Sequence, residues 1–342
     1  MKALLLFIGG LFLVFSCESL RDTGEPMTIF PALMEVPEGF PEVPAPEDNA
    51  FTQERWELGK RLFYDPVMSV DSTISCASCH EPALAFSDGL ATSMGVQDRI
   101  GRRNSPSLTN IAYHPYFTRE GGVPTLEMQI LVPIQEHDEF DFNIVLLSER
   151  LQADSSYVAM ADAAYGRVPD PYVITRSIAC FERSLLSGNS FYDHYTRASE
   201  GYQLSPAALR GLELFFSDRT QCSTCHGGFN FTDYSFANNG LYEVYSDPGR
   251  YRLTNEEEDL AVFKVPSLRN VANTAPYMHD GSFSSLEAVM AHYNSGGAEH
   301  PNKSDLIQPL GLSEQEMEDL VSFLESLTDE SFINNPLFRQ GE

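Results

Sequence analysis

The stretches "CASCH" at residues 76–80 and "CSTCH" at residues 222–226 decide how this chain is interpreted. Each has two thiols separated by two residues, with a histidine directly after the second thiol. This spacing lets both thiols form thioethers with the vinyl groups of one haem while the histidine binds the iron. A zinc knuckle would need a further ligand beyond each motif, and a thioredoxin-like site does not need the histidine. We therefore predict two covalent c-type haems. Their attachment residues are Cys76, Cys79, His80, Cys222, Cys225 and His226, with His80 and His226 as iron ligands.

Similar helical patterns surround both motifs. "ELGKRLFYDP" at 57–66 and "LRGLELFFSD" at 209–218 precede them, and each has a glycine followed by Leu-Phe three residues later. Segments at 172–188 and 313–329 follow the motifs, with apolar residues three and four positions apart, as in amphipathic helices. A haem motif between an N-terminal and a C-terminal helix is the plan of a cytochrome c domain.

The chain therefore has the pattern of such a domain twice, and its strand signals are few and short. We predict a mainly α fold of two tandem cytochrome c-like domains, each with one covalent haem and long connecting loops. The domains are expected at 51–195 and 196–332, followed by a short tail at 333–342.

The amino terminus, "MKALLLFIGGLFLVFSCES", has an apolar run that is too short to span a bilayer but suits a secretory signal. The run ends at Cys17, and "VFSC" resembles the lipobox of bacterial lipoproteins. We predict a signal peptide at 1–17 with a lipidated Cys17 and a location in the periplasm or cell envelope; plain cleavage nearby is the alternative. Residues 18–50 are rich in Pro and Glu without a helical period, which is typical of a tether.

Charge limits the partners. The chain of 342 residues has 22 Lys and Arg against 49 Asp and Glu, a net charge of −27. Nucleic acid is excluded because its phosphates would be repelled, and a protein partner steered by charge should be basic. A merely solvated acidic surface explains the same excess.

Two further segments, "RRNSPSLTN" at 102–110 and "VPSLRNVANTAPYMHDG" at 265–281, accompany the haem motifs. With them the chain resembles the bacterial di-haem cytochrome c peroxidases and their relatives, which include MauG, from about residue 51 to 329. The resemblance implies that the haem on His80 reacts with peroxide. It also implies that the haem on His226 stores or relays an electron.

The resemblance places the distal ligand of the second haem fourteen residues after His279, at Tyr293, where peroxidases of the family usually have Met and MauG has Tyr. Met290, one helical turn earlier, and His292 are the alternatives. A thioether would stabilise ferrous iron, whereas a phenolate would stabilise higher oxidation states.

The peroxidases also have a distal His sixteen residues after the first motif, and Val96 stands there in this chain. Valine cannot coordinate iron, so the first haem is expected to be open without prior reduction. The family's acid and base align with Glu139 and Gln129, while Glu136 and His137 are rivals for the same role.

Two more roles are implied by the resemblance. The family has a Trp between its haems, and Phe117 is nearest to that position here, beside Tyr116 and two extra residues before Leu126. Because Phe is harder to oxidise than Trp, electrons would then tunnel through the packed ring of Phe117 or through Tyr116. The family also has a Ca²⁺ between its haems, whose ligands align with Asn104, Thr274 and Pro276.

We therefore expect an exported peroxidase that reduces hydrogen peroxide to water with electrons from a small c-type cytochrome or cupredoxin. A MauG-like oxidase, which uses peroxide to oxidise a protein or organic substrate, is the alternative suggested by Val96 and Tyr293. A non-enzymatic electron carrier is the third hypothesis. The resemblance leaves open a homodimer, which the peroxidases form.

Overall fold

The computed structural model of the chain describes residues 33–341. The predicted signal peptide, Cys17 and the first part of the predicted tether lie outside this range. No helix within residues 33–341 is both long enough and apolar enough to cross a bilayer.

The described chain is mainly helical, as predicted. From residue 53 the helices are α1 Gln53–Tyr64, α2 Leu126–Gln129, α3 Leu131–Gln135, α4 Ile144–Gln152, α5 Ser155–Tyr165, α6 Pro171–Arg183, α7 Phe191–Thr196, α8 Pro206–Phe215, α9 Cys222–Cys225, α10 Tyr251–Thr254, α11 Leu286–Ser295, α12 Glu314–Glu325 and α13 Glu330–Ile333. Two short antiparallel strands, β1 Phe236–Ala237 and β2 Phe263–Lys264, pair with each other. Long loops and 3-10 turns connect these elements.

Each half is built on one crossed pair of helices, α1 with α6 and α8 with α12. Side chains cap the starts of these helices: the Thr52 hydroxyl accepts from the Arg55 N–H, and Ser313 forms a capping box with Glu316. The glycines of the two N-terminal helices lie at the crossings. A Cβ on Gly59 would come within 1.8 Å of the Ser177 carbonyl oxygen, and one on Gly211 within 1.9 Å of the Asp319 carbonyl oxygen.

Two apolar cores correspond to the two halves. The first contains Phe63 and Phe181 with their rings 5.1 Å apart, and the second contains Phe215 and Phe323 at 5.0 Å. Cys180 is buried in the first core.

The end of the chain returns to the first core. Phe332, at the end of the predicted second domain, lies 5.7 Å from the Phe86 ring, and Phe338, in the predicted tail, lies 6.2 Å from it. Both are buried with the core of the first half. The predicted tail therefore packs with the first domain, since the apolar residues that bury its aromatic side chains belong to the first core.

Residues 33–50, the second part of the predicted tether, also lie against the folded body. Leu33 and Val43 are buried, and the ring of Phe40 packs edge-on against Phe229 at 4.8 Å. The Asn49 side chain donates to the Glu127 carboxylate at 2.9 Å. The apolar residues scattered among the Pro and Glu residues therefore dock this part of the segment instead of leaving it extended.

Candidate haem sites

All six predicted attachment residues line one cavity of about 1120 Å³ that extends across both halves. In the first half, Cys76–Ser78 form a 3-10 turn immediately before Cys79 and His80. In the second half, Cys222–Cys225 form α9, and His226 follows it. Each motif thus presents two thiols and one imidazole from a single tight turn.

The two histidines are oriented in the same way. His80 Nδ1 lies 2.8 Å from the Phe86 carbonyl oxygen, and His226 Nδ1 lies 3.2 Å from the Phe231 carbonyl oxygen. A carbonyl accepts only from a protonated Nδ1, so Nε2 carries the lone pair and is free to bind a metal. Burial lowers the pKa of both imidazoles, which favours the neutral form that ligates iron.

The polar groups of the cavity fit a large prosthetic group. Among residues 33–341, three buried side-chain atoms have no hydrogen-bond partner: Gln129 Oε1, His114 Nε2 and Arg119 Nε. All three residues line this cavity. Because buried polar atoms nearly always have a partner, these positions are suited to contacts with a haem or its ordered water. No cluster of three or more His, Cys, Asp or Glu residues in the described chain could hold a separate metal ion.

Val96 is fully buried, and its N–H donates to the Glu139 carbonyl oxygen at 3.0 Å. The segments are close because Gly95 has no side chain, since a Cβ there would come within 2.0 Å of the Asp138 carbonyl oxygen. At the position where the peroxidases have their distal His, the chain thus has a buried apolar residue beside Glu139. Val96 is not part of the cavity wall, whereas Met94 of the same segment is.

Glu139 and Gln129 both line the cavity. Burial, with smaller effects from Glu136 and Asp138, raises the pKa of Glu139 to about 7. Glu136 also lines the cavity but is exposed. The other rival, His137, is 69% exposed, lies 3.3 Å from Asp141 and is absent from the cavity wall. The structure therefore brings Glu139 and Gln129 together in one cavity and separates His137 from it.

The three candidate ligands of the second haem lie on α11. Tyr293 and Met290 line the cavity, whereas His292 does not, and its Nε2 lies 3.0 Å from the Asn239 carbonyl oxygen. Burial raises the pKa of Tyr293, although a hydrogen bond with Asn239 lowers it, and Cys222 and Cys225 are near enough to raise it further. Tyr293 and Met290 remain candidates by position, and the surroundings of Tyr293 include both thiols of the second motif.

Phe117 is buried in the cavity wall. Its ring stacks on His114 at 6.4 Å, and the His114 ring lies 5.1 Å from Tyr234. His114 Nδ1 is 3.2 Å from the Lys264 Nζ. Tyr116 lies outside the cavity and stacks on Phe236. Phe117, and not Tyr116, thus adjoins the space between the two motifs.

Asn104, Thr274 and Pro276, the predicted calcium ligands, also line the cavity. However, both oxygens of Asn104 accept hydrogen bonds from Arg119, whose guanidinium remains charged at neutral pH although burial lowers its pKa to about 10. A cation therefore already occupies the side of Asn104 that would face the ion. Calcium stays a prediction from the resemblance, and this arrangement argues against it.

Several charged residues of the wall were not singled out from the sequence, among them Arg119, Glu182 and Lys264. Burial raises the pKa of Glu182 to about 8 and lowers that of Lys264 to about 8. Glu182 had a detectable signal, because it stands four residues after Ile178 on the buried face of α6. Arg119 and Lys264 had none, because each lies in a loop or a two-residue strand.

Two cytochrome c folds that face one cavity, each with its own CxxCH turn, define a di-haem c-type protein. The family described as "Di-haem cytochrome c peroxidase" matches residues 53–201, and the family "Cytochrome c" matches residues 208–328. The chain belongs to the family of di-haem cytochrome c peroxidases and MauG proteins. It is an oxidoreductase of that family, which implies two covalent c-type haems.

Individual relatives support the assignment. The chain is 38% identical to the methylamine utilization protein MauG of Methylorubrum extorquens, over 84% of this chain and 82% of MauG. It is 34% identical to the cytochrome-c peroxidase IdrP1 of Denitromonas iodatirespirans, over 84% and 85% of the two chains. The crystal structure of a MauG-like protein associated with microbial copper homeostasis superimposes with a TM-score of 0.85 at 34% identity, covering 89% of this chain and 98% of that one. The predicted fold and family are thus confirmed.

Proposed function

We propose that this protein is an exported peroxidase that reduces hydrogen peroxide to water at the His80 site, with electrons from a small c-type cytochrome or cupredoxin. One observation carries the proposal: the half-buried carboxyl group of Glu139 lies in the cavity wall, and its backbone carbonyl is hydrogen-bonded to Val96, a residue that cannot bind iron at the sequence position of the family's distal His. A site of this kind has a proton-transfer group and leaves an iron position open.

The haem at His80 would supply an iron that binds peroxide and accepts its oxidising equivalents. Glu139 would take the first proton from the bound peroxide and return a proton to the leaving oxygen. Its pKa of about 7 suits both steps, because the carboxylate and the carboxylic acid are then similar in free energy at neutral pH. Gln129 has a side-chain oxygen without a partner and would accept a hydrogen bond from peroxide or from the water that it becomes.

Tyr293 favours a second candidate function, the MauG-like oxidation of a protein or organic substrate. A phenolate from Tyr293 would stabilise the higher oxidation states of the second haem and so hold oxidising equivalents until a substrate arrives. The 38% identity to MauG supports this alternative.

The partners follow from charge and from the amino terminus. A net charge of −27 suits a basic electron donor. The apolar run before Cys17 suits export to the periplasm and anchoring to the cell envelope by lipid, so we propose that location.

The experiment combines electron paramagnetic resonance with turnover. The fully oxidised protein should show one high-spin and one low-spin ferric haem, and it should consume peroxide while oxidising a reduced basic cytochrome c. Peroxide-dependent oxidation of an added organic substrate without turnover of the cytochrome would favour the MauG-like function. Two low-spin haems without any reaction with peroxide would contradict both enzymes and leave an electron carrier.

A further inference from the structure

Arg119 lies where the first half meets the second. Its carbonyl oxygen accepts from the Lys264 N–H of β2 at 2.7 Å. Its side chain turns back to the first half, where Nη2 donates to the carbonyl oxygen of Asn104 at 2.7 Å and to the Asn104 side-chain oxygen at 3.0 Å. Asn104 in turn donates its N–H to the His279 carbonyl oxygen at 2.9 Å. One arginine therefore connects β2 of the second half with the Asn104 segment of the first, at one of the places where the two halves touch.

The orientation of the Asn104 amide is fixed by two partners. Its Nδ2 donates to the Leu90 carbonyl oxygen at 2.9 Å, so its oxygen must face Arg119. The same amide oxygen is the only side-chain ligand in the calcium set that the family resemblance implies.

The neighbouring charges are balanced around this guanidinium. Arg103 donates to both oxygens of Asp247, at 2.6 and 3.0 Å, and also to Glu120. Asp280 adds a third carboxylate whose charge acts on Arg119. Two further cations are near: Arg252 lies 3.8 Å from Glu120, and the charge of Arg119 acts on Lys264. The three carboxylates are thus already matched by cationic side chains, which leaves no negative charge for a divalent ion to neutralise.

Calcium and this arginine cannot share Asn104. Calcium requires six to eight oxygen ligands at about 2.3–2.6 Å. An ion at that distance from the Asn104 amide oxygen would lie close to Nη2, which is 3.0 Å from the same oxygen, and the two positive charges would repel each other in a buried site.

We propose that the Arg119 guanidinium takes the place of a calcium ion and that this chain joins its two haem domains without Ca²⁺. Arg119 belongs to the segment in which the chain differs from the family's Trp segment and has two extra residues. In this one segment the chain thus lacks the family's Trp and has, in Arg119, a positively charged side chain. The contact between the halves then no longer depends on the calcium concentration.

The experiment measures calcium content and thermal unfolding of the full-length holoprotein and of two variants, each with excess EGTA and with millimolar CaCl₂. Wild type should contain well below one calcium per chain, with the same unfolding temperature and haem spectrum under both conditions. Arg119→Ala should unfold about 4 °C or more below wild type in EGTA and regain part of that loss with Ca²⁺. Arg167→Ala removes the same charge from an exposed ion pair with Asp170 and should not respond to calcium.

Stoichiometric calcium in wild type, with EGTA lowering its unfolding temperature, would overturn the proposal. An Arg119→Ala protein that folds but ignores calcium would also overturn it, because the site would then never suit the ion. If Arg119→Ala does not fold, the calcium response of Arg119→Gln and the calcium content of wild type still test the proposal. None of these readouts depends on peroxide turnover, so the outcome is independent of the proposed function.

Discussion

The two halves share a scaffold and differ in what that scaffold presents to the iron. In each half a loop asparagine with positive φ, Asn110 at 56° and Asn270 at 58°, binds the end of the closing helical segment: its N–H donates to the carbonyl oxygen of Leu185 or Leu327. The loops that follow also match, with bridges between Phe117 and Val123 and between Tyr277 and Phe283. The repeated contacts thus attach the loop after each motif to the end of the closing helical segment.

The two halves begin to differ in the helix that follows these loops, which is α2 with α3 in the first half and α11 in the second. Thr125 caps α2 as Ser285 caps α11, and α2 continues through Ile130, whose backbone is helical, into α3, so that this stretch ends at Gln135 as α11 ends at Ser295. Counted from the caps, Pro133 occupies the position that Tyr293 has in the second half. Proline has no ligating group, and the chain beyond it turns to bring Glu139 to the cavity. The residue at this matching position, together with the segment that follows it, therefore distinguishes a site for proton transfer from a site with a phenol.

The largest expected effect tests the acid of the first half. Glu139→Gln should lower the second-order rate of reaction with peroxide by about 10²–10⁴-fold, because the amide cannot take a proton. Stopped-flow absorbance of the oxidised protein measures this rate. Glu136→Gln is the matched control and should react within a few-fold of wild type. If both variants lost the same amount of rate, the negative charge of the loop as a whole, and not proton transfer by Glu139, would explain the effect.

The same carboxyl predicts a pH dependence. With a pKa of about 7 for Glu139, the ionised fraction and thus the rate of first proton removal should rise about 50-fold from pH 5 to pH 7 and then level off. The pKa is raised on folding, so folding favours the protonated form, and this group should reduce stability as pH rises from about 4.5 to 7. Rates from pH 5 to 9 check the prediction, and Glu139→Gln should show no such rise.

The ligand of the second half predicts a change in potential. Tyr293→Met should raise the reduction potential of the second haem by on the order of 0.1 V, because a thioether stabilises ferrous iron. Potentiometric titration followed by near-infrared and paramagnetic resonance spectra measures the change. Met290→Leu should leave the potential unaltered, and a loss of the low-spin signal in that variant would make Met290 the ligand.

Sequence reasoning was sufficient where a feature is local. Each local feature depends on residues within a few positions of each other, so its pattern is visible in the sequence. Examples are the CxxCH turns, the glycine before each Leu-Phe and the Ser313 capping box. The positions of Glu139 and Tyr293 came from motif spacing through the resemblance, and the structure places both on the cavity wall.

Contacts between distant segments had no such pattern. Nothing near Phe338 indicates that it will pack on Phe86, about 250 residues earlier in the chain, and Leu33 and Val43 are sparse among Pro and Glu residues. The Arg119 bond to Asn104 joins two loops whose approach depends on the whole fold. Polar residues in loops reveal their partners only when the tertiary structure is known.

The smallest expected effect tests the shared scaffold. Gly59→Ala and Gly211→Ala should each lower the free energy of unfolding by about 1–3 kcal/mol, because the new Cβ meets a backbone carbonyl of the partner helix, which cannot rotate away. Glycine to alanine in an open helix would instead stabilise by roughly 0.5–1 kcal/mol, so the sign itself is informative. Denaturant unfolding measures both, with Glu57→Ala on the exposed side of α1 expected within about 0.5 kcal/mol of wild type.

Because Phe332 and Phe338 tie the end of the chain to the first core, both glycine variants should shift one common transition. A separate early transition in only one variant would show that the halves unfold independently and that the returning tail adds little to their coupling.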